Sequence, residues 1–93
     1  MGADQRLASE RPVPPIFDWN PGNLGKIAGH GLTAAEVDEV FDDPHGEDDV
    51  SRSSGRPLRK GYTAASRYLV VVYEEQDDNP RRLYVVTAYA PGE

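Results

Sequence analysis

The segment Thr33–Pro44 has the clearest periodic pattern of apolar and polar residues in the chain. Its apolar residues recur at the i, i+3 and i+4 spacing of one helical face and are Val37, Val40 and Phe41. Thr33 and Glu36 have the spacing of a capping box, in which each side chain accepts a hydrogen bond from the other residue's backbone N–H. The pattern predicts a helix that begins after Thr33 and ends at Asp43, because the following proline disfavours helical backbone there.

The C-terminal half has the apolar patterns of strands. The run Arg67–Glu75, RYLVVVYEE, is β-branched and aromatic, with too few polar positions for one exposed face, so it is predicted to be a central strand. Arg82–Ala90, RLYVVTAYA, follows a turn and returns beside it. Shorter patterns predict strands at Ile16–Trp19, near Asp49–Arg52 and at Leu58–Thr63.

Strict alternation assigns the side chains of the last strand to two faces. One face is predicted to hold Leu83, Val85, Thr87 and Tyr89, and the other Tyr84, Val86, Ala88 and Ala90.

A weaker helix is predicted from Pro21 to about Ala28, since proline suits a first helical turn while the glycines within it reduce helix stability. Gly29-His30-Gly31 ends this helix. The resulting order is one strand, two helices and then strands, which predicts an α+β domain with an antiparallel sheet.

The chain of 93 residues has the length of one small domain, predicted at residues 16–93 after an extended or disordered tail at residues 1–15. Its longest apolar run, Leu69–Tyr73, is far shorter than a membrane span. The polar N-terminus does not have the pattern of a signal peptide, and there is no cysteine. We therefore expect a cytoplasmic protein without disulfides.

Charge is divided into two consecutive blocks, although the formal net charge is −6. The segment Glu36–Asp49 has eight acids and no Lys or Arg, whereas Ser51–Arg67 has five bases and no acid. Either the two blocks are solvated or paired with each other, or the basic block contacts a phosphate backbone or an acidic partner.

Several short motifs occur at the separations found in one known family. They are Phe17, Trp19, Asn20 and Pro21 in the first strand and turn, Gly29-His30-Gly31 between the helices, Val40-Phe41-Asp42-Asp43-Pro44 at the end of the second helix, Arg56 with Gly61, and Arg67 before the strand Leu69–Tyr73. With these motifs, residues 16–90 resemble the BrnT-like toxins of bacterial toxin–antitoxin pairs, which share the RelE-like ribonuclease fold. The resemblance implies two N-terminal helices packed on a small antiparallel sheet of about four strands.

The chain departs from the family pattern at two positions and at its end. Gly29 stands where the family typically has lysine, and Tyr89 stands where its last strand typically has arginine. The basic helix that follows this strand in the family has no counterpart after Tyr89.

Metal-independent RNA cleavage requires a base for the 2′-hydroxyl, a cation for the phosphorane and an acid for the leaving 5′-oxygen. The resemblance and the affinity of guanidinium for phosphate select the candidates. The candidate catalytic residues are Arg56, Arg67, Tyr89 and Arg59, and the candidate RNA-binding residues are Arg52 and Lys60. The alternatives are that the arginines pair with the acidic helix or cover the sheet edge, and that Tyr89 belongs to the core.

The remaining family motif is predicted to be structural and consists of Trp19, Pro21, His30, Gly31 and Phe41. Histidine is a residue type suited to acid–base chemistry, but the place of His30 between glycines at a helix junction favours a hinge. His45, in an acidic loop, has no predicted role, and the acidic run around it lacks the alternation of a calcium loop. No metal or cofactor is predicted.

These observations lead to three hypotheses. The first is a RelE-like endoribonuclease toxin that is silenced by a cognate antitoxin, with a ribbon–helix–helix DNA-binding part implied by the resemblance. The second is a catalytically inactive RelE-like interaction module or orphan toxin homologue. The third is a homodimer formed by edge pairing of the strand near Asp49.

Overall fold

The computed structural model describes residues 14–92, which contain two helices and five strands. In chain order they are β1 (Ile16–Asp18), α1 (Pro21–Gly29), α2 (Ala34–Asp42), β2 (Glu47–Val50), β3 (Pro57–Tyr62), β4 (Tyr68–Asp78) and β5 (Arg81–Tyr89). The α+β class is confirmed. Most of the predicted tail, residues 1–13, lies outside the described residues.

A reciprocal capping box begins α1. The side chain of Asn20 accepts a hydrogen bond from the N–H of Asn23 at 2.9 Å, and the Asn23 side chain accepts one from the N–H of Asn20 at 2.8 Å. Asn23 is only 1% exposed, and its Nδ2 donates to the backbone carbonyls of Asp18 at 3.0 Å and Val85 at 3.1 Å. One polar side chain thus joins α1 to β1 and β5. These hydrogen bonds and the cap stabilise α1, although its glycines have low helix propensity.

The second helix has the predicted bounds and the predicted buried face. Thr33 and Glu36 form the capping box, and Val37 and Val40 are completely buried. Phe41 packs against this core from the edge. The hydrophobic period and the cap were therefore sufficient to define α2.

The sheet has the strand order β1-β5-β4-β3-β2, so the apolar strand β4 is central, as predicted. The prediction of about four antiparallel strands was wrong in two respects. The sheet has five strands, and β1 pairs parallel to β5, with Phe17 opposite Leu83. A parallel pair requires a long crossover connection, which the segment from α1 to β4 supplies. The alternation of side chains in β1 is the same for parallel and antiparallel pairing, so it could not predict which of the two occurs.

A bulge at Val86 changes the faces of β5. Val72 pairs with Thr87 while the adjacent Tyr73 pairs with Val85, so the register shifts between these two pairs. Ala88 is consequently buried on the same side as Val85, and the prediction that they face opposite sides was wrong. The extra residue in β5 interrupts the two-residue period on which the prediction depended.

Both helices pack on one face of the sheet and enclose the core there. The core residues are Ile27, Leu32, Val37, Val40, Leu69, Val71, Val85 and Ala88. The opposite face, called the open face below, has neither α1 nor α2 over it. Within residues 14–92, no helix combines the length and the apolar character needed to cross a membrane.

Candidate functional site

One row of side chains crosses the open face near the C-terminal end of β5. Glu47 lies opposite Lys60, Lys60 opposite Val70, and Val70 opposite Tyr89, on four consecutive strands. Residues paired in this way project to the same side of an antiparallel sheet. The structure thus brings the candidate RNA-binding residue Lys60 and the candidate catalytic residue Tyr89 to either side of one valine.

Two further tyrosines form the adjacent row. Tyr62 pairs with Tyr68 across β3 and β4, and their ring centroids are 5.0 Å apart. Val70 is only 5% exposed, whereas Tyr62 is 54% exposed and Tyr89 is 37% exposed. We call this surface, which consists of Lys60, Tyr62, Tyr68, Val70 and Tyr89, the tyrosine face.

His30 lies beside the tyrosine face. It follows the last residue of α1, where its N–H donates to the carbonyl of Ile27 at 3.0 Å. Gly31 follows with a φ of +77°, a left-handed conformation that glycine adopts without strain. This turn places the His30 ring centroid 6.5 Å from that of Tyr89. The predicted hinge residue and a candidate catalytic residue are therefore neighbours.

A small cleft opens on the other side of Lys60. Its volume is about 170 Å³, and it is lined by His45, Glu47, Lys60, Gly61, Tyr62 and Tyr68. His45 had no predicted role, and no periodic signal connects its loop with β3. The backbone N–H of His45 donates to Asp43 Oδ1 at 2.9 Å, while Asp43 Oδ2 accepts from the N–H of Tyr62 at 2.8 Å. Asp43 therefore joins the loop of His45 to the end of β3.

The charge of Lys60 is partly compensated. Its Nζ lies 3.2 Å from Asp49 Oδ2, and this hydrogen bond raises the pKa of the Lys60 ammonium. The pKa of Asp49 is lowered, mainly by the backbone N–H of Val50 and then by Lys60. Lys60 is consequently a cation at neutral pH, and a bound phosphate would compete with Asp49 for it.

Arg67 lies at the same end of the sheet as the tyrosine face. Its Nη1 donates to the carbonyl of Gly31 at 3.1 Å and to Glu36 Oε2 at 3.2 Å. These contacts connect the start of β4 to the turn that contains His30 and to the first turn of α2. The position of Arg67 is that of a side chain that holds this turn in place.

The other candidate arginines do not meet at the tyrosine face. Arg56 forms an ion pair with Glu74 at 2.8 Å, near the hairpin of β2 and β3. Arg59 points to the helix side, where its Nη2 donates to the carbonyl of Asp43 at 2.8 Å. Arg52 is exposed in the turn after β2.

The acidic and basic blocks pair with each other in the folded chain. Their ion pairs are Asp48 with Arg59, Asp49 with Lys60, and Glu36 with Arg67. The interpretation that the two blocks pair is confirmed for these residues. The pairs of Asp48 with Arg59 and of Asp49 with Lys60 follow from the antiparallel pairing of β2 with β3, which sets acidic positions against basic ones.

Two residues of the predicted structural motif, Trp19 and Phe41, belong to an aromatic cluster between the sheet and the helices. Phe17 is 5.0 Å from Phe41 and 6.2 Å from Trp19, measured between ring centroids. Pro21 is the first residue of α1, directly after its cap. Phe41 and Tyr73 meet edge to face at 5.4 Å.

A larger cleft of about 570 Å³ lies at the far hairpin and has no comparable chemistry. Its lining residues are Glu75, Gln76, Asp77, Asp78 and Arg81. Arg81 lies 2.8 Å from Glu75 and is therefore already paired. Across residues 14–92, no group of three or more histidine and carboxylate side chains is arranged to hold a metal ion.

No family model matches the chain. A search of curated proteins finds no significant match either. The function is therefore argued from the tyrosine face and from the motifs quoted above.

Proposed function

We propose that the chain is a RelE-like, metal-independent endoribonuclease, the BrnT-like toxin of a type II toxin–antitoxin pair. The observation that carries this proposal is the row in which Lys60 and Tyr89 flank Val70, with the Tyr62–Tyr68 pair beside it. A cation next to exposed aromatic rings is the combination with which proteins hold single-stranded nucleic acid. The motif resemblance supplies the fold family and the class of substrate.

The proposed reaction is cleavage by the RNA's own 2′-hydroxyl. That hydroxyl loses its proton as its oxygen bonds to phosphorus, and the 5′-oxygen leaves with a proton, which gives a 2′,3′-cyclic phosphate. Lys60 stabilises the negative charge of the phosphorane. His30 and Tyr89 are the neighbouring acid–base groups that exchange the two protons.

Arg67 acts in this proposal through the turn that it holds. Because its guanidinium bonds to the Gly31 carbonyl, its loss releases the residue next to His30. Arg67 is then a positioning residue.

The proposed partner is a cognate antitoxin that covers the tyrosine face. Two side chains of the tyrosine face, Tyr62 and Tyr89, are aromatic and more than a third exposed. Such a surface suits burial by a partner as well as contact with bases. The ribbon–helix–helix part of this antitoxin is an expectation from the resemblance.

The test is to express the chain alone, score growth arrest, and measure cleavage of a defined single-stranded RNA by the purified protein. We expect cleavage by the wild type and at least about a hundredfold loss in Tyr89→Phe and His30→Ala. Tyr84→Phe, at the other end of the open face, is the matched control and should cleave normally. Intact RNA and unaffected growth with the folded wild type would contradict the proposal.

A second function, a binding module without catalysis, is favoured by a different observation. Arg56, Lys60 and Arg67 are all paired with carboxylates of the same chain, whose net charge is −6. These pairs oppose the approach of a phosphate backbone. A chain that neither cleaves nor binds RNA, but binds the product of an adjacent gene through the tyrosine face, would support this alternative.

A further inference from the structure

We propose that the small cleft beside Lys60 is a binding site for one unpaired guanine base of an RNA strand, which stacks on Tyr62. This inference rests on the proposed function, because it assumes that RNA is the ligand of the tyrosine face. It assigns a role to the cleft residues Glu47 and Tyr62, which the proposed reaction does not use.

Tyr62 has the exposure and the support of a stacking platform. Tyr62 is the last residue of β3 and is 54% exposed. Tyr68 lies on one side of it, with the rings inclined at 53° and their centroids 5.0 Å apart. The backbone of Tyr62 is fixed by the hydrogen bond to Asp43. A supported ring that still has solvent against it can stack on a base, as tyrosines do in proteins that bind single strands.

In the wall of the cleft, a carboxylate that accepts hydrogen bonds lies beside an ammonium that donates them. Glu47 and Lys60 lie directly opposite each other on β2 and β3, and both line the cleft. Guanine is the one RNA base that offers two adjacent N–H donors, at N1 and N2, beside a carbonyl acceptor, O6. A carboxylate with two oxygens matches the two donors. The Lys60 ammonium has three N–H donors, so one of them can bond to O6 in addition to its role toward the phosphate.

The other bases match this pair less well. Adenine and cytosine each offer one amino group, so the second carboxylate oxygen would have no donor. Uracil offers a single N–H between two carbonyls, which places an acceptor against Glu47. The pairing of Glu47 with Lys60 therefore favours guanine.

The size of the cleft limits its ligand to one base. Its volume of about 170 Å³ is well below the roughly 300–1,000 Å³ of clefts that hold drug-sized ligands. The adjacent position of Val70 and Tyr89 places the neighbouring phosphate and ribose on the tyrosine face. A guanine in the cleft would thus fix which phosphodiester reaches His30 and Tyr89.

The test measures binding without cleavage. The probes are fluorescently labelled pentanucleotides that are 2′-O-methylated at every position, with uracil at the four outer positions and guanine, adenine, cytosine or uracil in the centre, so no 2′-oxygen can act as a nucleophile. We expect the wild type to bind the guanine oligonucleotide about tenfold more tightly than the others, as judged by fluorescence anisotropy. Tyr62→Ala should weaken binding of all four by about tenfold, and Tyr62→Phe should not.

Glu47→Gln separates base recognition from stacking. We expect it to remove the preference for guanine while binding of the adenine oligonucleotide is retained. Equal wild-type affinity for the four oligonucleotides, or unchanged affinity in a folded Tyr62→Ala variant, would overturn the guanine site. Thermal unfolding of each variant establishes that it is folded.

The two proposals fail in different ways. Selective guanine binding without cleavage of unmodified RNA would support the guanine site and count against the nuclease. Cleavage of RNA without any base preference at the cut position, unaffected by Glu47→Gln, would support the nuclease and overturn the guanine site.

Discussion

Asp43, the C-cap residue of α2, accepts a hydrogen bond of 2.8 Å at Oδ2 from the backbone N–H of Tyr62. Its other carboxylate oxygen accepts from the N–H of His45 at 2.9 Å. One acidic side chain thus fixes both the loop and the strand end that border the proposed guanine site. Because both hydrogen bonds go to the carboxylate, the contribution of Asp43 to stability should depend on pH.

Asp43→Ala should lower the melting temperature at pH 7 and have a smaller effect in acid. The two backbone N–H groups lower the pKa of Asp43 in the folded chain, mainly through Tyr62 and then His45. A lowered folded pKa means that the stabilisation is present above the unfolded pKa, about 3.9, and is lost as the pH falls through the folded pKa. The measurement is thermal unfolding followed by circular dichroism at neutral pH and below about pH 3.

The control for this prediction is Asp42→Ala, one residue earlier in α2. Within the described part of the chain its carboxylate has no comparable hydrogen bonds, so the change should have little effect at either pH. A melting difference for Asp43→Ala that is as large in acid as at neutral pH would show that the carboxylate charge is not the cause.

Gly61→Ala should destabilise the fold by about 1–3 kcal/mol. A Cβ at this position would lie 3.2 Å from the Val40 carbonyl oxygen and 3.1 Å from Asp43 Oδ2. The close approach of α2 to β3 therefore leaves little room for a Cβ at this position. The free energy of unfolding from urea denaturation measures this cost.

Gly25→Ala in α1 is the matched control for Gly61→Ala. A Cβ there has no atom within 4 Å outside the helix's own backbone, and alanine favours helix by about 1 kcal/mol over glycine. The control should therefore increase stability. Equal effects of the two substitutions would contradict the close approach at β3.

Asn23→Ala should lower the free energy of unfolding by about 3 kcal/mol, because it leaves buried carbonyls of two strands without their donor. Asn23 Nδ2 serves both Asp18 and Val85. Leu24→Ala, at a neighbouring residue that is 39% exposed, should cost about 1 kcal/mol or less. Guanidinium denaturation of both variants tests the difference, and similar midpoints would contradict it.

Arg59→Ala should reduce stability by about 2 kcal/mol without removing RNA cleavage by the folded protein. Its guanidinium bonds to the Asp43 carbonyl and lies 3.4 Å from the Asp48 carboxylate, on the helix side of the sheet. Its place among the candidate catalytic residues remains a prediction that this experiment tests. Cleavage lost at unchanged stability would favour the catalytic role.

Arg52→Ala provides the comparison for Arg59→Ala. Arg52 is exposed in the turn after β2, and its replacement should change stability by less than about 0.5 kcal/mol. Replacement of Arg59 would then cost more stability than replacement of Arg52, although both belong to the basic block, because only Arg59 bonds to the C-cap residue of α2.

The sequence alone determined the elements whose signals are local. The capping box of Thr33 with Glu36 and the apolar spacing after it were sufficient for α2, because both act within two helical turns. The apolar, β-branched and aromatic composition of β4 was sufficient for its central place in the sheet, since such residues pack well against the strands on either side.

Only the tertiary structure decided which residues meet. The parallel pairing of β1 and the bulge at Val86 depend on long-range register, which a two-residue period does not encode. The same register sets Lys60 beside Val70 and Tyr89, and the loop geometry adds His45. The sequence named the candidate cations, but contacts between distant segments decided which of them support the fold and which reach the open face.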